Sequence, residues 1–279
     1  MNTALFSSTL GIYFIATILY LVYLVRPREI FGRAALWLIS TGFLTHCAFT
    51  VNRYLEAGHT PITNLHESLS FFSLSIIAIF IFFERKYRLF ILGSFITPLA
   101  LLLLALSTTM PTEIMPLNPA LKSRWLLLHT SMAFFGYAAF AVSFGTSIMY
   151  LIQSHFLKKK KLGPLFQRLP SLDTLDEISY RCLTLGFPLL TVAIISGAIW
   201  AETAWGTYWS WDPKETWSLI TWFIYAALLH GRLTTGWRGR KAAILSIIGF
   251  FILLFTFLGV NLLPSESKHT YGQQLGGTQ

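Results

Sequence analysis

The sequence predicts an all-α, polytopic integral membrane protein with about eight transmembrane helices. Of its 279 residues, 54% are hydrophobic and 12% are charged, whereas soluble domains average about 45–50% apolar and about 25% charged residues. Stretches that approach the length needed to cross a bilayer, about 20 apolar residues, recur along the chain. This composition argues against a cytosolic enzyme, a disordered protein and a disulfide-stabilised scaffold.

Eight apolar stretches qualify as membrane spans, and together they predict a single membrane domain over residues 1–279. The third and seventh stretches are short and contain polar residues. No basic residue precedes the first span and no clear cleavage site follows it, so we expect that span to be retained rather than removed as a signal peptide. The eight stretches are 4–25, 34–55, 67–83, 88–107, 125–152, 179–201, 216–232 and 242–262.

The basic residues predict the orientation of the spans. Sixteen of the 21 lysines and arginines fall in alternate loops, and this excess marks the cytoplasmic side. Both termini are then extracytoplasmic, and the basic loop 153–178 is a topology signal rather than a nucleic-acid site. The sixteen residues are Arg26, Arg28, Arg33, Arg85, Lys86, Arg88, Lys158, Lys159, Lys160, Lys161, Arg168, Arg181, Arg232, Arg238, Arg240 and Lys241.

The outer face is predicted to carry the segments 56–66, 108–124 and 202–215 together with the C-terminal tail 263–279. The stretch WGTYWSWDPKETWSLITW, residues 205–222, begins within the segment 202–215 and holds five of the nine tryptophans. An interfacial aromatic belt explains one or two of them. The five are Trp205, Trp209, Trp211, Trp217 and Trp222.

Two local features of this Trp loop, residues 202–215, have different interpretations. Asp212, Pro213 and Glu215 have the spacing of a helix start with a capping box, which favours a structural role for the two carboxylates. The indoles before that start, with Gly206 and Tyr208 between them, are expected to form a flat apolar shelf at the outer surface. Such a shelf suits a planar aromatic ligand with polar edges.

The stretch WGTYWSWDPKETW resembles the WWD motif of the haem-handling cytochrome c assembly proteins. The flanking sequences YRCLTLGFPLLTVAIISGAIW, TWFIYAALLHGRLTTGWRGR and FLGVNLLPSESKHTYG extend the resemblance, as do RWLLLHTSMAFFGYAAF and RYLEAGHTPITNLHESLSF. With these flanks the chain is similar to the CcsA-type (ResC-like) subunit of the system II cytochrome c synthase.

This resemblance implies a function, a cofactor and two protein partners. The chain would bind haem b as a substrate and present it on the extracytoplasmic face for covalent attachment to an apocytochrome c with a Cys-x-x-Cys-His segment. It would act as one subunit of the thioether-forming synthase, together with a separate CcsB/ResB-like membrane subunit. The membrane would be the plasma (inner) membrane, or the thylakoid membrane in a photosynthetic source.

Two histidines are expected to ligate haem iron at the outer face. Imidazole is a common axial ligand, and His129 and His269 flank the Trp loop in sequence and lie on its predicted side. The residues alone leave a structural role open for both. The resemblance assigns them as the axial pair, although the tail reads Lys268-His269-Thr270 where the family pattern is close to Leu-His-Ser.

Two further histidines lie at depth in the predicted spans. His230 ends the seventh span on the cytoplasmic side, and the resemblance implies that it is a haem ligand whose second axial partner comes from another subunit. His46 shares a helical face with Arg53, so this pair is either a ligand and a propionate contact or a satisfied polar pair within the bundle. His66 stands where the family usually has Tyr, and His59 and His155 are expected to be loop residues.

Three other functions stay open. A haem exporter without ligation activity would use the same two sites. A membrane regulator of tetrapyrrole synthesis would not need the complete Trp loop with both flanking histidines. A di-haem quinone oxidoreductase subunit would need four histidines on facing helices, but only His46 and His230 lie at depth.

For the function that the resemblance implies, we expect the protein to orient haem while the haem itself supplies the reactive groups, since no acid–base pair or nucleophile is apparent.

Overall fold

The computed structural model describes residues 2–114, 123–160 and 162–262, and the regular secondary structure within them is helical. A single 3₁₀ turn, Phe90–Leu92, precedes α4, and a π-helical turn, Phe255–Gly259, separates α9 from α10. The helices are α1 Asn2–Val25, α2 Glu29–Ala57, α3 Leu65–Tyr87, α4 Gly93–Ser107, α5 Arg124–Lys158, α6 Pro164–Arg168, α7 Leu172–Trp205, α8 Pro213–Thr234, α9 Arg240–Leu254 and α10 Val260–Leu262.

Seven helices of the described residues are long and apolar enough to cross a membrane, which confirms the polytopic all-α fold. Each of the seven corresponds to one expected span. The eighth expected span, 216–232, corresponds to α8, which is not among the seven. This helix has 22 residues, and at 1.5 Å per residue it extends about 33 Å, which is long enough for a bilayer core of about 30 Å. Lys214, Glu215 and Arg232 at its ends lower its mean hydropathy, so the crossing of α8 stays a prediction.

The segment 153–178, expected as a loop, is largely helical. Helix α5 has 35 residues and α7 has 34, so each extends about 50 Å and exceeds the bilayer core of about 30 Å. The Ser171 hydroxyl caps α7 by accepting a hydrogen bond from the Thr174 backbone N–H. The Arg168 guanidinium donates to the Leu24 carbonyl at 2.6 Å, which fixes this segment to the end of α1.

Helices α5 and α7 form the centre of the half of the molecule that carries the Trp loop. A Cβ atom on Gly136 would lie 3.2 Å from the Gly186 carbonyl oxygen, so the two backbones approach closely at these glycines. Small residues allow such close approach of transmembrane helices. The Phe140 ring stacks on Tyr225 of α8 with centroids 3.6 Å apart. Helices α1 to α4 form the second group, which joins α5 along α3.

Candidate functional site

The Trp loop is shorter in the structure than in the sequence-based expectation, because α7 continues to Trp205 and α8 begins at Pro213. Gly206 ends α7 in the left-handed conformation, with φ of 72°, and its N–H donates to the Glu202 carbonyl at 2.9 Å. A glycine adopts this conformation without a Cβ clash, which explains its place at this helix end. The seven residues 206–212 therefore connect the two helices.

The predicted capping box at the start of α8 is confirmed. The Asp212 carboxylate accepts from the Lys214 backbone N–H at 2.8 Å, and the Glu215 carboxylate accepts from the Asp212 N–H at 3.2 Å. Glu215 also accepts from the Ser210 N–H at 2.8 Å. Both carboxylates thus hold the loop backbone against the first turn of α8.

The two most exposed aromatic side chains of the loop are Trp211, 69% exposed, and Tyr208, 60% exposed. Trp211 has φ of 58°, a left-handed backbone conformation that is unusual for a bulky residue. Such strained residues persist only where the surroundings hold them, and they cluster at functional sites. The capping box immediately after Trp211 supplies that restraint, so the exposed indole is presented by a fixed backbone.

The expectation of a flat shelf needs correction. Trp209 and Trp211 meet edge to face, with an interplanar angle of 87° and centroids 5.9 Å apart, and Trp200 and Trp205 cross at 70°. Aromatic rings prefer this offset geometry to coplanar contact. The indoles therefore form two pairs of crossed rings, in which Trp200 is buried and Trp211 is exposed. Trp217 lies farther along and packs on Phe255 at 4.6 Å.

The π-helical turn and α10 after it contact the start of α8, which directly follows the Trp loop. The Thr256 hydroxyl donates to the Trp217 carbonyl at 3.3 Å, and the Lys214 ammonium donates to the Asn261 side-chain oxygen at 3.4 Å. Lys214 lies in the segment 202–215, outside the expected span. Single π-helical turns occur frequently at functional sites.

His129 lies near the start of α5 and faces α7. Its Nδ1 atom lies 2.6 Å from the Ala193 carbonyl oxygen, which can only accept a hydrogen bond, so Nδ1 carries the proton. Nε2 then holds the lone pair that a metal ligand needs, and a hydrogen bond of this kind typically orients ligating histidines. The donor set and the exposed indoles of the loop therefore fit haem as a ligand.

A glycine makes room for the His129 ring. A Cβ atom on Gly197 would lie 2.6 Å from His129 Nδ1 and 2.7 Å from Cε1, so the imidazole occupies the place of a side chain. Ala193 and Gly197 are spaced four residues apart and lie on one face of α7. Neither residue carries a signal in the sequence beyond that of a small residue in an apolar span.

His230 is exposed near the C-terminal end of α8, which is the predicted cytoplasmic end. Phe223, which is 57% exposed, lies seven residues earlier on the same face. Neighbouring contacts fix this end of the helix: the Arg232 guanidinium donates to both carboxylate oxygens of Asp176, at 3.0 and 2.5 Å. Asp176 also accepts from the Gly239 N–H at 2.9 Å, so one carboxylate joins α7, α8 and the start of α9.

His46 and Arg53 share a helix but not a site. His46 is fully buried, with Nδ1 3.2 Å from the Tyr13 hydroxyl and Nε2 2.8 Å from the Ser70 hydroxyl. The Arg53 Nε donates to the Glu67 carboxylate at 2.8 Å, and another guanidinium nitrogen donates to the Thr112 carbonyl at 2.6 Å. Of the two interpretations, the geometry favours satisfied polar groups, although Arg53 pairs with Glu67 and not with His46.

The remaining histidines are distributed as follows. His66 is buried, and its Nδ1 atom lies 2.8 Å from the Ser107 carbonyl oxygen. His155 is exposed near the C-terminal end of α5. His59 lies half-buried between α2 and α3. His269 lies outside the described residues. It is seven positions beyond Leu262, a length of chain that reaches at most about 25 Å.

Comparisons with known proteins identify the family of this chain. A family model described as "Cytochrome C assembly protein" matches residues 62–266. The "Cytochrome c biogenesis protein CcsA" of Guillardia theta is 41% identical, over 79% of this chain and 79% of the relative. The protein of the same description from Synechocystis sp. is 38% identical, over 91% of this chain and 92% of the relative.

A solved structure shares the fold. The structure titled "Cytochrome c Heme Lyase CcmF" superposes with a TM-score of 0.65 at 18% sequence identity. The match covers 93% of this chain and 48% of the other. The family model and the relatives cover most of the chain, including the Trp loop and both helices that flank it, so this chain belongs to the cytochrome c assembly protein family.

Proposed function

We propose that the chain functions in cytochrome c biogenesis by holding haem b as a substrate on the extracytoplasmic face and presenting it to apocytochrome c. The exposed Trp211, held in a left-handed conformation directly before the capping box, is the observation that carries this proposal. Exposed indole and phenol rings on a fixed backbone provide apolar contact for a planar macrocycle at low entropic cost. Family membership supports the same role.

The aromatic residues of the loop have distinct parts in this proposal. Tyr208, Trp209 and Trp211 contact the macrocycle, and Trp205 supports them from the end of α7. The other candidate residues shape the loop: Gly206 ends α7, Asp212 starts α8, and Trp217 anchors α8 on the π-helical turn.

His129 and His269 are the proposed axial ligands of the presented haem. For His129, the hydrogen bond to Ala193 supports ligation through Nε2. For His269, the Lys214–Asn261 contact supports the assignment, because the tail starts beside the helix that the Trp loop precedes. We leave His46 and Arg53 out of the proposed haem contacts because Tyr13, Ser70 and Glu67 already engage them.

The proposed chemistry needs positioning rather than an acid–base pair. Each acceptor thiol adds across a haem vinyl group, with sulfur bonding to one carbon and hydrogen to the other, and the acceptor histidine replaces one protein ligand. The chain holds the iron from His129 and His269 and exposes the vinyl edge beside Trp211. Orientation of reacting groups is a large part of catalysis when the cofactor supplies the chemistry.

His230 is the proposed ligand of a second, inner haem site that accepts haem on its way outward. Its exposure on α8 supports a ligand that meets a neighbouring polypeptide. A CcsB/ResB-like membrane subunit supplies the opposing imidazole. The complex resides in the plasma membrane, or in the thylakoid membrane of a photosynthetic cell.

The experiment is cytochrome c maturation in cells that express the chain with its partner subunit. His129→Ala and His269→Ala should each abolish covalent haem attachment, and added imidazole should partly restore it by filling the empty axial position. His155→Ala, at the exposed opposite end of α5, is the matched control and should mature cytochrome c normally. Normal maturation in both ligand variants would contradict the outer bis-histidine site. Haem export without any attachment by the unaltered complex would favour the exporter alternative.

A further inference from the structure

A file of buried polar side chains runs through the first three helices, away from the Trp loop. Four of the five buried residues of α1 carry a hydroxyl group: Thr9, Tyr13, Thr17 and Tyr20. The last three are spaced four and three residues apart, so they lie on one helical face directed into the bundle. Polar groups buried inside a membrane bundle are costly and mark functional paths, proton relays among them.

The middle of the file is a hydrogen-bonded triad. The His46 ring lies between the Tyr13 hydroxyl, 3.2 Å from Nδ1, and the Ser70 hydroxyl, 2.8 Å from Nε2. A neutral imidazole carries a donor on one nitrogen and an acceptor on the other. His46 can therefore take a proton at one nitrogen and release one from the other. The Tyr13 and Phe49 rings pack against the imidazole, with centroids 5.6 and 6.2 Å from it.

The outer end of the file opens into a small cavity. Ser70, Glu67 and Arg53 line it together with Phe49, Thr50, Pro61 and Phe71. Ser70 and Glu67 are three residues apart on α3, so both lie on the same helical face. The Glu67 carboxylate also accepts from the Thr63 backbone N–H and hydroxyl, each at 3.0 Å. This cavity therefore joins the triad to a buried ion pair at the predicted outer surface.

The inner end of the file contains buried oxygen atoms without a partner in the described part of the chain. They are Thr17 Oγ1, Tyr20 Oη and one carboxylate oxygen of Glu84. The Tyr20 ring packs edge to face on Phe80 of α3, with centroids 5.6 Å apart, and Glu84 lies one helical turn after Phe80. Near the opposite end of α1, the Thr9 hydroxyl donates to the Leu5 carbonyl one turn earlier at 2.8 Å, whereas the Thr17 hydroxyl makes no such bond. Buried polar atoms without protein partners are usually satisfied by water.

Glu84 differs from the other buried carboxylates of the described residues. Glu67 pairs with Arg53, and Asp212 and Glu215 cap α8. Glu84 is 1% exposed, and no ion pair links it to a cation among the described residues. Its nearest basic neighbour, Arg85, is exposed. A buried carboxyl without a counter-ion at the cytoplasmic end of a helix can accept and release a proton.

We propose that these side chains form a proton-conducting path from Glu84 at the cytoplasmic end to the Arg53–Glu67 cavity at the outer face. The order is Glu84, Tyr20, Thr17, Tyr13, His46, Ser70 and then the cavity. Tyr13 and Thr17 are four residues apart, a rise of about 6 Å, so water completes the path between their hydroxyls. The middle of the path lies in α1 and α2, before residue 62, where the family match begins, while Glu67, Ser70 and Glu84 lie in α3 within that match. No residue of the path is a proposed haem contact, so the path does not rest on the haem-handling proposal.

Each transfer moves one proton and changes no covalent bond of the protein. Glu84 takes a proton from the cytoplasm, the hydroxyls and water pass it along, and His46 releases its other ring proton toward Ser70. The proton leaves through the outer cavity, and reversal of the hydroxyl and imidazole orientations resets the path. Net transfer carries one positive charge across the membrane.

Proton flux into vesicles tests this path. The full chain is reconstituted into phosphatidylcholine liposomes that contain K⁺ and a pH-sensitive dye, and valinomycin imposes an interior-negative potential. Each proton that enters is balanced by a K⁺ ion that leaves. We expect wild-type vesicles to acidify faster than protein-free vesicles. Tyr13→Phe, Tyr20→Phe and Glu84→Gln should each reduce the rate to that of protein-free vesicles, because they remove one oxygen or one titratable group with little change in volume.

The matched control is Tyr23→Phe, on the same helix but outside the file, which should conduct like the wild type. The control also shows that loss of a tyrosine hydroxyl from α1 does not by itself alter reconstitution. Equal acidification of wild-type and protein-free vesicles would overturn the proposal. Wild-type rates in Glu84→Gln and Tyr13→Phe would overturn it as well, because conduction would then use another route.

Discussion

The Nδ1 atom of His129 donates a hydrogen bond to the Ala193 carbonyl oxygen at 2.6 Å. Helix α7, which supplies no candidate haem ligand, therefore fixes the orientation of the His129 ring on α5. Helix α7 accomplishes this with two small residues, since Ala193 offers its carbonyl and Gly197 leaves room for the ring. The same helix ends at Trp205, where the Trp loop begins. The position of the proposed ligand and the position of the aromatic loop are therefore set by one rigid element.

This relationship makes Gly197 a sensitive position. In Gly197→Ala the new methyl carbon would lie 2.6 Å from His129 Nδ1, so the ring must move and the hydrogen bond to Ala193 must break. Loss of such an orienting bond typically costs about 10–100-fold in metal affinity. We expect haem titration of the purified protein to show a loss of that order. Gly11→Ala is the matched control, because a Cβ atom there meets nothing within 4 Å. Equal haem affinity in both variants would contradict the account of His129.

Two substitutions of Asp212 distinguish its role as a helix cap from any role of its negative charge. Asp212→Ala removes the acceptor for the Lys214 N–H and should lower the free energy of unfolding by about 1 kcal/mol, the usual value of such a cap. Asp212→Asn retains an oxygen acceptor and loses the charge, so it should keep both stability and cytochrome c maturation. Thermal unfolding in detergent and maturation in cells measure the two effects. Loss of maturation in Asp212→Asn at unchanged stability would instead assign a direct role to the carboxylate.

The distribution of basic residues predicts the side on which the Trp loop lies. A reporter enzyme that is active only outside the cytoplasm should be active when it is fused after residue 112 or 206. It should be inactive after residue 160 or 237, where the basic segments lie. The opposite pattern would place the Trp loop in the cytoplasm and remove the argument for an extracytoplasmic acceptor.

The inner site should depend on the partner subunit. His46 cannot serve as the second ligand for His230, because it is fully buried and both of its ring nitrogens are engaged. The chain alone should therefore bind less haem than the complex with its CcsB/ResB-like partner, and His230→Ala should abolish that gain. Haem content per polypeptide, measured after copurification, tests this expectation. A full complement of low-spin haem at both sites of the isolated chain would show that no partner ligand is needed.

The sequence predicts the helices well because membrane spans depend mainly on local apolar length, and seven of the expected spans are confirmed. It predicts the start of α8 equally well, because Asp212, Pro213 and Glu215 form a local capping pattern. It underestimates α5 and α7, whose polar ends continue as helix beyond the apolar stretch.

The arrangement of side chains across helices was less predictable. The expected shelf of tryptophans is a set of crossed rings, since ring angles depend on packing that a sequence does not contain. The partners of His129, His46 and Arg53 also come from distant positions. Residues such as Ala193 and Gly197 carry no chemical signal in the sequence, because their contribution is a backbone carbonyl and an absent side chain.

The most direct test of the central claim is the visible absorption spectrum of the complex, purified with its haem and recorded with and without reductant. We predict low-spin haem with bis-histidine ligation, and His129→Ala and His269→Ala should each lose that signal at the outer site and regain it when imidazole is added. Unaltered low-spin spectra in both variants would contradict the assignment of these histidines to haem iron.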